Sequence, residues 1–171
     1  MIAAALAIPL ALAAAPPEPV SFPGASVAKD PTGRFAIELA SGEAGRHELR
    51  LTVLPTGAAR PLLAFSRSAT VYWAPEGNAV AVAVRRDADH ATVLLFLPER
   101  AGETDLSAEL ARALGPLPEQ TGNRRVLLDV VRWLDAKRLR LRLSGVGKRD
   151  PEGFSELFDY EVGGRFKRAV F

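Results

Sequence analysis

The segment VYWAPEGNAVAVAV (residues 71–84) decides the fold that we expect for this chain. An apolar strand ends at Trp73, a Pro-x-Gly turn follows at Pro75 and Gly77, and a second apolar strand begins. This second strand, residues 79–84, alternates alanine with valine, so it has no polar face. Strands that are apolar on both faces are typical of sheets covered on both sides. We therefore expect this unit to lie between two other layers.

The same turn occurs twice along the chain. Pro31 and Gly33 precede Pro75 and Gly77 by 44 residues, and in both places the turn leads into a strand. A third copy begins at Trp133, is one residue shorter and lacks the glycine. A repeat of about 40–45 residues with about four strands is typical of a propeller blade. The longer interval before the third copy is explained by an inserted helix.

The central copy resembles the repeat of TolB-like (WD-type) β-propellers, in which a strand ends in Trp-Ser-Pro-Asp-Gly and an apolar strand follows. Trp73, Pro75 and Gly77 match this pattern, whereas Ala74 and Glu76 depart from it. The match is specific for this repeat and weaker for the other two. The resemblance implies a partial propeller of about three blade-like units.

Short apolar or alternating segments separated by turns predict consecutive antiparallel hairpins. The predicted strands are residues 34–40, 47–53, 60–65, 69–74, 79–84, 91–97, 125–133, 138–144, 154–162 and 165–171. The first and third units alternate apolar and polar residues, so each is expected to have one solvated face, unlike a blade in a closed ring. We expect an all-β antiparallel meander that forms an open propeller-like stack of about three small sheets, with a β-sandwich as the alternative.

One helix is predicted at about residues 104–114, within an insertion that spans 104–115. Leu106, Leu110 and Leu114 recur at helical spacing and share one face. Thr104 or Asp105 can cap its start, and the following glycine and prolines can end it.

The N-terminal residues 1–15 are apolar and uncharged. The segment is too short for a membrane span of about 20 residues and suits a cleaved signal peptide, although it lacks the usual basic start. A buried N-terminal segment is the alternative. Residues 16–25 contain four prolines and predict an extended linker before a single domain at 26–171. We expect a periplasmic or secreted protein with no stable membrane insertion after cleavage.

Arginine and leucine alternate through residues 138–143, which places Arg138, Arg140 and Arg142 on one face. If this strand pairs with the acidic segment 154–162, Arg140 and Arg142 can face Glu161 and Asp159. The main interpretation is a solvated, internally paired face. The alternative is a site for an anionic glycan or lipid headgroup. Nucleic acid is not an expected partner, because the arginines lack interleaved aromatic residues for base stacking.

His90 lies with two aspartates in RRDADH (residues 85–90), where a hairpin loop is predicted. The chain has 2 histidines and no cysteine, so neither a metal nor another cofactor is expected. A small hydrolase of unrecognised type, using His90 and the carboxylates of 150–161, is one alternative. Our main hypothesis is a non-enzymatic exported module that binds a protein or peptide at strand edges, loops or the helix surface. The sequence does not define an oligomeric state.

Overall fold

The computed structural model describes residues 15–40, 45–85, 91–114, 123–147 and 151–169. In these residues the chain is mostly β-strand, with one short helix, and its strands form three antiparallel sheets. The all-β prediction is confirmed, and none of the three sheets closes into a barrel. No helix in this part of the chain is long and apolar enough to cross a membrane.

Each sheet is built mainly from strands that follow one another in the chain. The first sheet contains β2 (Val27–Lys29), β3 (Phe35–Ala40), β4 (His47–Val53) and β5 (Ala58–Phe65). The middle sheet contains, in spatial order, β1 (Val20–Phe22), β6 (Ser68–Trp73), β7 (Val80–Arg85), β8 (Ala91–Phe96) and β9 (Glu103–Asp105). The third sheet contains β10 (Asn123–Trp133), β11 (Arg138–Gly147), β12 (Phe154–Glu161) and β13 (Arg165–Arg168).

The middle sheet is buried on both faces, as its sequence predicts. Val80, Val82 and Val84 pack into a first core that is shared with the first sheet. Ala81 and Leu95 face the other way, into a second core that is shared with the third sheet and the helix. The two end sheets each turn one face to solvent, because β4 and β11 alternate buried leucines with more exposed polar residues.

The two tryptophans occupy equivalent places in their sheets. Trp73 ends β6 and donates its Nε1–H to the carbonyl oxygen of Ala28 at 3.1 Å. Trp133 ends β10 and donates its Nε1–H to the carbonyl oxygen of Tyr72 at 2.8 Å. In both cases the acceptor lies on the strand that precedes the Pro-x-Gly turn of the preceding sheet. This strand is β2 for Trp73 and β6 for Trp133. Successive sheets are therefore related by a common contact.

The turns of the first two repeats also pack against each other. Asp30 is 4% exposed, and its carboxylate accepts hydrogen bonds from the backbone N–H of Phe35 at 2.7 Å and of Thr32 at 3.0 Å. Gly77 lies directly against this carboxylate, so that a side chain there would collide with it. Gly33, at the equivalent place in the first turn, has open space around it.

Helix α1 (Leu106–Leu114) begins two residues later than the earliest predicted start, because β9 occupies residues 103–105. Asp105 caps the helix, since its Oδ1 accepts the N–H of Ser107 at 2.9 Å. Leu106 and Leu110 are fully buried in the second core, whereas Leu114 is 52% exposed. The predicted leucine stripe therefore packs only over its first two members.

The segment predicted as a linker, residues 16–25, contains a strand. Within it, β1 pairs antiparallel with β6, and Phe22 is 1% exposed in the first core. The neighbouring prolines conceal this strand in the sequence, because its three residues are too few to show a period. Of the predicted signal peptide, residues 1–14 lie outside the part of the chain that the structure describes.

Candidate binding edge and arginine face

Arg140 is held in a two-point ion pair on the outer face of the third sheet. Its Nε and Nη2 donate to the two carboxylate oxygens of Asp159 at 2.7 and 2.9 Å. The hydrogen bonds from Arg140 lower the pKa of Asp159 below its ordinary value, against the opposing effect of partial burial. Because Nε and Nη2 both donate to one carboxylate, this guanidinium is held by an internal partner.

The predicted partners in this hairpin are offset by two residues from those observed. Arg140 faces Asp159 rather than Glu161, and Arg138 faces Glu161. Arg142 lies opposite Leu157. A shift of two residues leaves every side chain on the same face, so the alternation of arginine and leucine could not distinguish the two registers.

The other two arginines of this row also have carboxylate neighbours. The Nε of Arg138 donates to Asp135 at 2.6 Å, in the turn that precedes β11. Arg142 is 3.9 Å from Asp129, which is itself 3.9 Å from Arg85 of the middle sheet. Asp129 thus links two sheets through longer and weaker contacts.

The register across the third sheet continues this pairing. Asp159 lies between Arg140 and Lys167, and Glu161 lies between Arg138 and Arg165. Each of these carboxylates therefore has a basic residue on both sides. Such an arrangement reduces the positive potential that an anionic glycan or lipid headgroup would meet at Arg138, Arg140 and Arg142.

The features that favour hydrolysis are not brought together in the described residues. His90 lies outside them, and His47 stacks on Phe65 with ring centroids 5.1 Å apart. The described part of the chain holds no group of three or more histidine or carboxylate side chains that could bind a metal ion. An open cleft of about 420 Å³ lies at the end of the third sheet, where Glu152 is the single ionisable residue among those lining it.

The longest edge strand of the described residues is β10, with 11 residues. It pairs with β11 on one side, and no described strand pairs with its other side. Most of its residues from 126 to 133 are apolar, with Asp129 and Arg132 as the charged exceptions. Long unpaired edges of this kind readily accept another strand.

The other sheet edges have features that discourage such pairing. Strand β5 contains Pro61, which lacks a backbone N–H. Strand β13 has 4 residues, three of them basic, and the edges β1, β2 and β9 have 3 residues each. Natural sheets protect their edges by shortness, charge and proline. In the described residues β10 is the longest edge and contains no proline, although its pairing with β11 shifts register at residues 123–125 and 130–132.

Strand β1 shows how this fold accepts an added strand. It lies beside β6, the strand that ends in Trp73, with Val20 opposite Val71 and Phe22 opposite Ala69. In position, β6 corresponds to β10, because each strand ends in a tryptophan whose Nε1–H donates to the preceding sheet. The place that β1 occupies next to β6 has no described occupant next to β10.

Sequence reasoning recognised β10 as a strand but did not recognise it as an open edge. The order of strands in a sheet depends on long-range pairing, for which this sequence has no local signal. A scan against known protein families finds no match, and a search of curated proteins finds none either.

Proposed function

We propose that this chain is an exported, non-enzymatic binding module of three propeller-like repeats, which recognises a protein or peptide by adding an extended strand to the free edge of β10. The observation that carries this proposal is the position of β1. One repeat already has a short strand next to its tryptophan-bearing strand, and the third repeat has a much longer strand with that side unpaired.

The physical basis of such binding is the backbone. Every second residue of an unpaired edge presents both its N–H and its carbonyl group to a second strand, and side chains at alternate positions then provide specificity. An edge of 11 residues can offer several such hydrogen bonds. The stacked sheets hold the edge in place, since Leu128, Val130 and Trp133 of β10 are buried in the second core.

Two further parts of the proposal rest on the sequence. Kinship with TolB-like propellers is supported by the matched Pro-x-Gly turns and by the equivalent tryptophan hydrogen bonds. Export to the periplasm or the medium is supported by the apolar residues 1–15. The N-terminal sequence of the protein purified from its source tests export, and a first residue at Met1 would contradict it.

Site-specific photo-cross-linking tests the binding edge. A benzoylphenylalanine replaces Val131 of β10, which is 42% exposed, or Leu114 of α1, which is 52% exposed and serves as the matched control. We expect a partner to be captured from Val131 and not from Leu114. Equal capture at both positions, or none at either, would contradict binding at this edge.

Capture alone does not show strand addition, so the cross-linked segment of the partner is then made as a peptide. The peptide should bind the chain, and methylation of alternate backbone nitrogens should abolish binding, because a methylated nitrogen cannot donate to the edge. Only one of the two sets of alternate nitrogens faces the edge, so methylation of the other set should leave binding intact. Binding that survives methylation of each set in turn would show that side chains, and not the backbone edge, recognise the partner.

A further inference from the structure

We infer that the strand recognised by β10 carries a carboxylate opposite Arg132, with apolar residues on both sides of that carboxylate. This inference rests on the proposed function and specifies the chemistry of its partner. It follows from the charge of Arg132 at the edge of the third sheet and from the residues that β1 places opposite β6.

Arg132 is the outermost charge of a row that crosses the whole third sheet. The row runs from Lys167 through Asp159 and Arg140 to Arg132 at the free edge. Arg140 is bound by Asp159, whereas Arg132 faces another arginine and has no carboxylate partner among the described residues. Like charges directly opposite each other are destabilising, and a carboxylate on the next strand would offset this repulsion.

The other charged residue of positions 126–133, Asp129, does not require a charged residue opposite it. Asp129 already lies 3.9 Å from both Arg85 and Arg142. A residue opposite Asp129 therefore needs no positive charge. Within residues 126–133, the charge preference of the edge is confined to the position opposite Arg132.

The inward positions of β10 select apolar residues. The exposed residues Val131 and Arg132 lie together where the register with β11 shifts, and the nearest residues on either side of them, Val130 and Trp133, are buried in the second core. Because directly opposite residues of two paired strands lie on the same face, the residues of the partner next to its carboxylate would extend this core. The partner strand is therefore expected to carry an apolar, an acidic and an apolar residue in this order.

Strand β1 follows the same rule at the middle sheet. Val20 and Phe22 turn inward and pack with the first core. Ser21 turns outward, and its Oγ is hydrogen-bonded to Oγ1 of Thr70, the residue directly opposite on β6, at 3.0 Å. An added strand in this fold thus has apolar residues inside and, between them, a polar residue that matches its neighbour.

The test uses fluorescein-labelled nine-residue peptides in which valine alternates with threonine and the central threonine is replaced by glutamate or by lysine. Fluorescence anisotropy measures their affinity for the full chain. We expect the glutamate peptide to bind about threefold to tenfold more tightly, a range set by the modest strength of exposed ion pairs. The substitution Arg132→Glu should reverse this preference.

The control variant is Arg165→Gln, which removes an arginine from the opposite edge of the same sheet. It should leave the preference unchanged, whereas Arg132→Gln should abolish it. Equal binding of the two peptides to the unaltered chain would overturn the charge inference and leave strand addition intact. If neither peptide binds at millimolar concentration, strand addition to β10 is itself overturned. An equal effect of the two glutamine variants would assign the preference to net charge and also overturn the inference.

Discussion

The contact between the first two turns can be tested by the substitution Gly77→Ala. Gly77 has a φ of 65°, and a Cβ added there would lie 3.1 Å from Cγ of Asp30 and closer still to its Oδ2. Asp30 cannot easily move away, because its carboxylate holds the backbone N–H groups of Thr32 and Phe35. Alanine at this position must therefore displace a buried and fully bonded carboxylate.

The expected cost has two parts. An L-residue in the left-handed region loses roughly 1–2 kcal/mol relative to glycine, of which about 0.4–1 kcal/mol is returned because alanine restricts the unfolded chain. Displacement of the Asp30 carboxylate weakens at least one hydrogen bond to a charged group and adds steric strain, for about 2–3 kcal/mol more. We expect Gly77→Ala to lower the free energy of unfolding by about 3–4 kcal/mol.

Gly33→Ala is the matched control. Gly33 has a φ of 72° at the same place in the first turn, but a Cβ there would meet nothing within 4 Å. This variant has the backbone cost alone and should lose about 1 kcal/mol. Urea unfolding followed by tryptophan fluorescence measures both variants, since Trp73 and Trp133 are each 2% exposed in the folded chain.

Equal losses in Gly33→Ala and Gly77→Ala, within about 0.5 kcal/mol, would refute the proposed contact between the turns. A double-mutant cycle gives a second check. In the background of Asp30→Ala, which removes the carboxylate, Gly77→Ala should cost about as much as Gly33→Ala. A cost that stays near 3–4 kcal/mol in that background would assign the effect to the backbone and not to Asp30.

Two other predictions concern the tryptophans and the arginine face. Trp73→Phe and Trp133→Phe each remove the indole hydrogen bond to a strand carbonyl and leave a gap in a core, and each should cost about 2–3 kcal/mol in urea unfolding; a loss below about 0.5 kcal/mol in either would contradict their equivalence. Arg140→Gln should cost about 1 kcal/mol near neutral pH, against a few tenths for Arg142→Gln, which has the longer contact. Because the folded chain lowers the pKa of Asp159, the contribution of the Arg140 pair is complete above the ordinary aspartate pKa and is lost as the pH falls through the lower folded value. The penalty of Arg140→Gln should accordingly disappear in acid, and a penalty that grew with acidity would contradict it.

The long strands and the layering of the fold could be predicted because their side-chain pattern is local. Residues 79–84 are apolar on both faces and lie in the doubly covered sheet, while β4 and β11 alternate and lie at the two ends. The short strands β1, β2 and β9 could not be predicted, since 3 residues give too little pattern to distinguish a strand from a loop.

Less of the candidate site than of the fold could be predicted from the sequence. The arginine face was predicted to be internally paired, and Arg140 and Asp159 form such a pair, but the choice between registers two residues apart depends on the geometry of the hairpin loop. The open edge of β10 depends on which strands meet in space. No property of residues 123–133 alone distinguishes an edge strand from a central one, because the segment contains no proline that would mark an edge.

Because both hydrophobic cores include the middle sheet, the three sheets are expected to differ in local stability. Opening of an end sheet exposes one core, whereas opening of β7 exposes both at once. The backbone amides of β7 should therefore exchange with deuterium only when the whole chain unfolds, while those of β13, at the far edge of an end sheet, exchange through smaller and more frequent fluctuations. A partner strand bound along β10 would slow exchange in the third sheet selectively, which gives the proposed interaction a signature that does not require the bound complex to be crystallised.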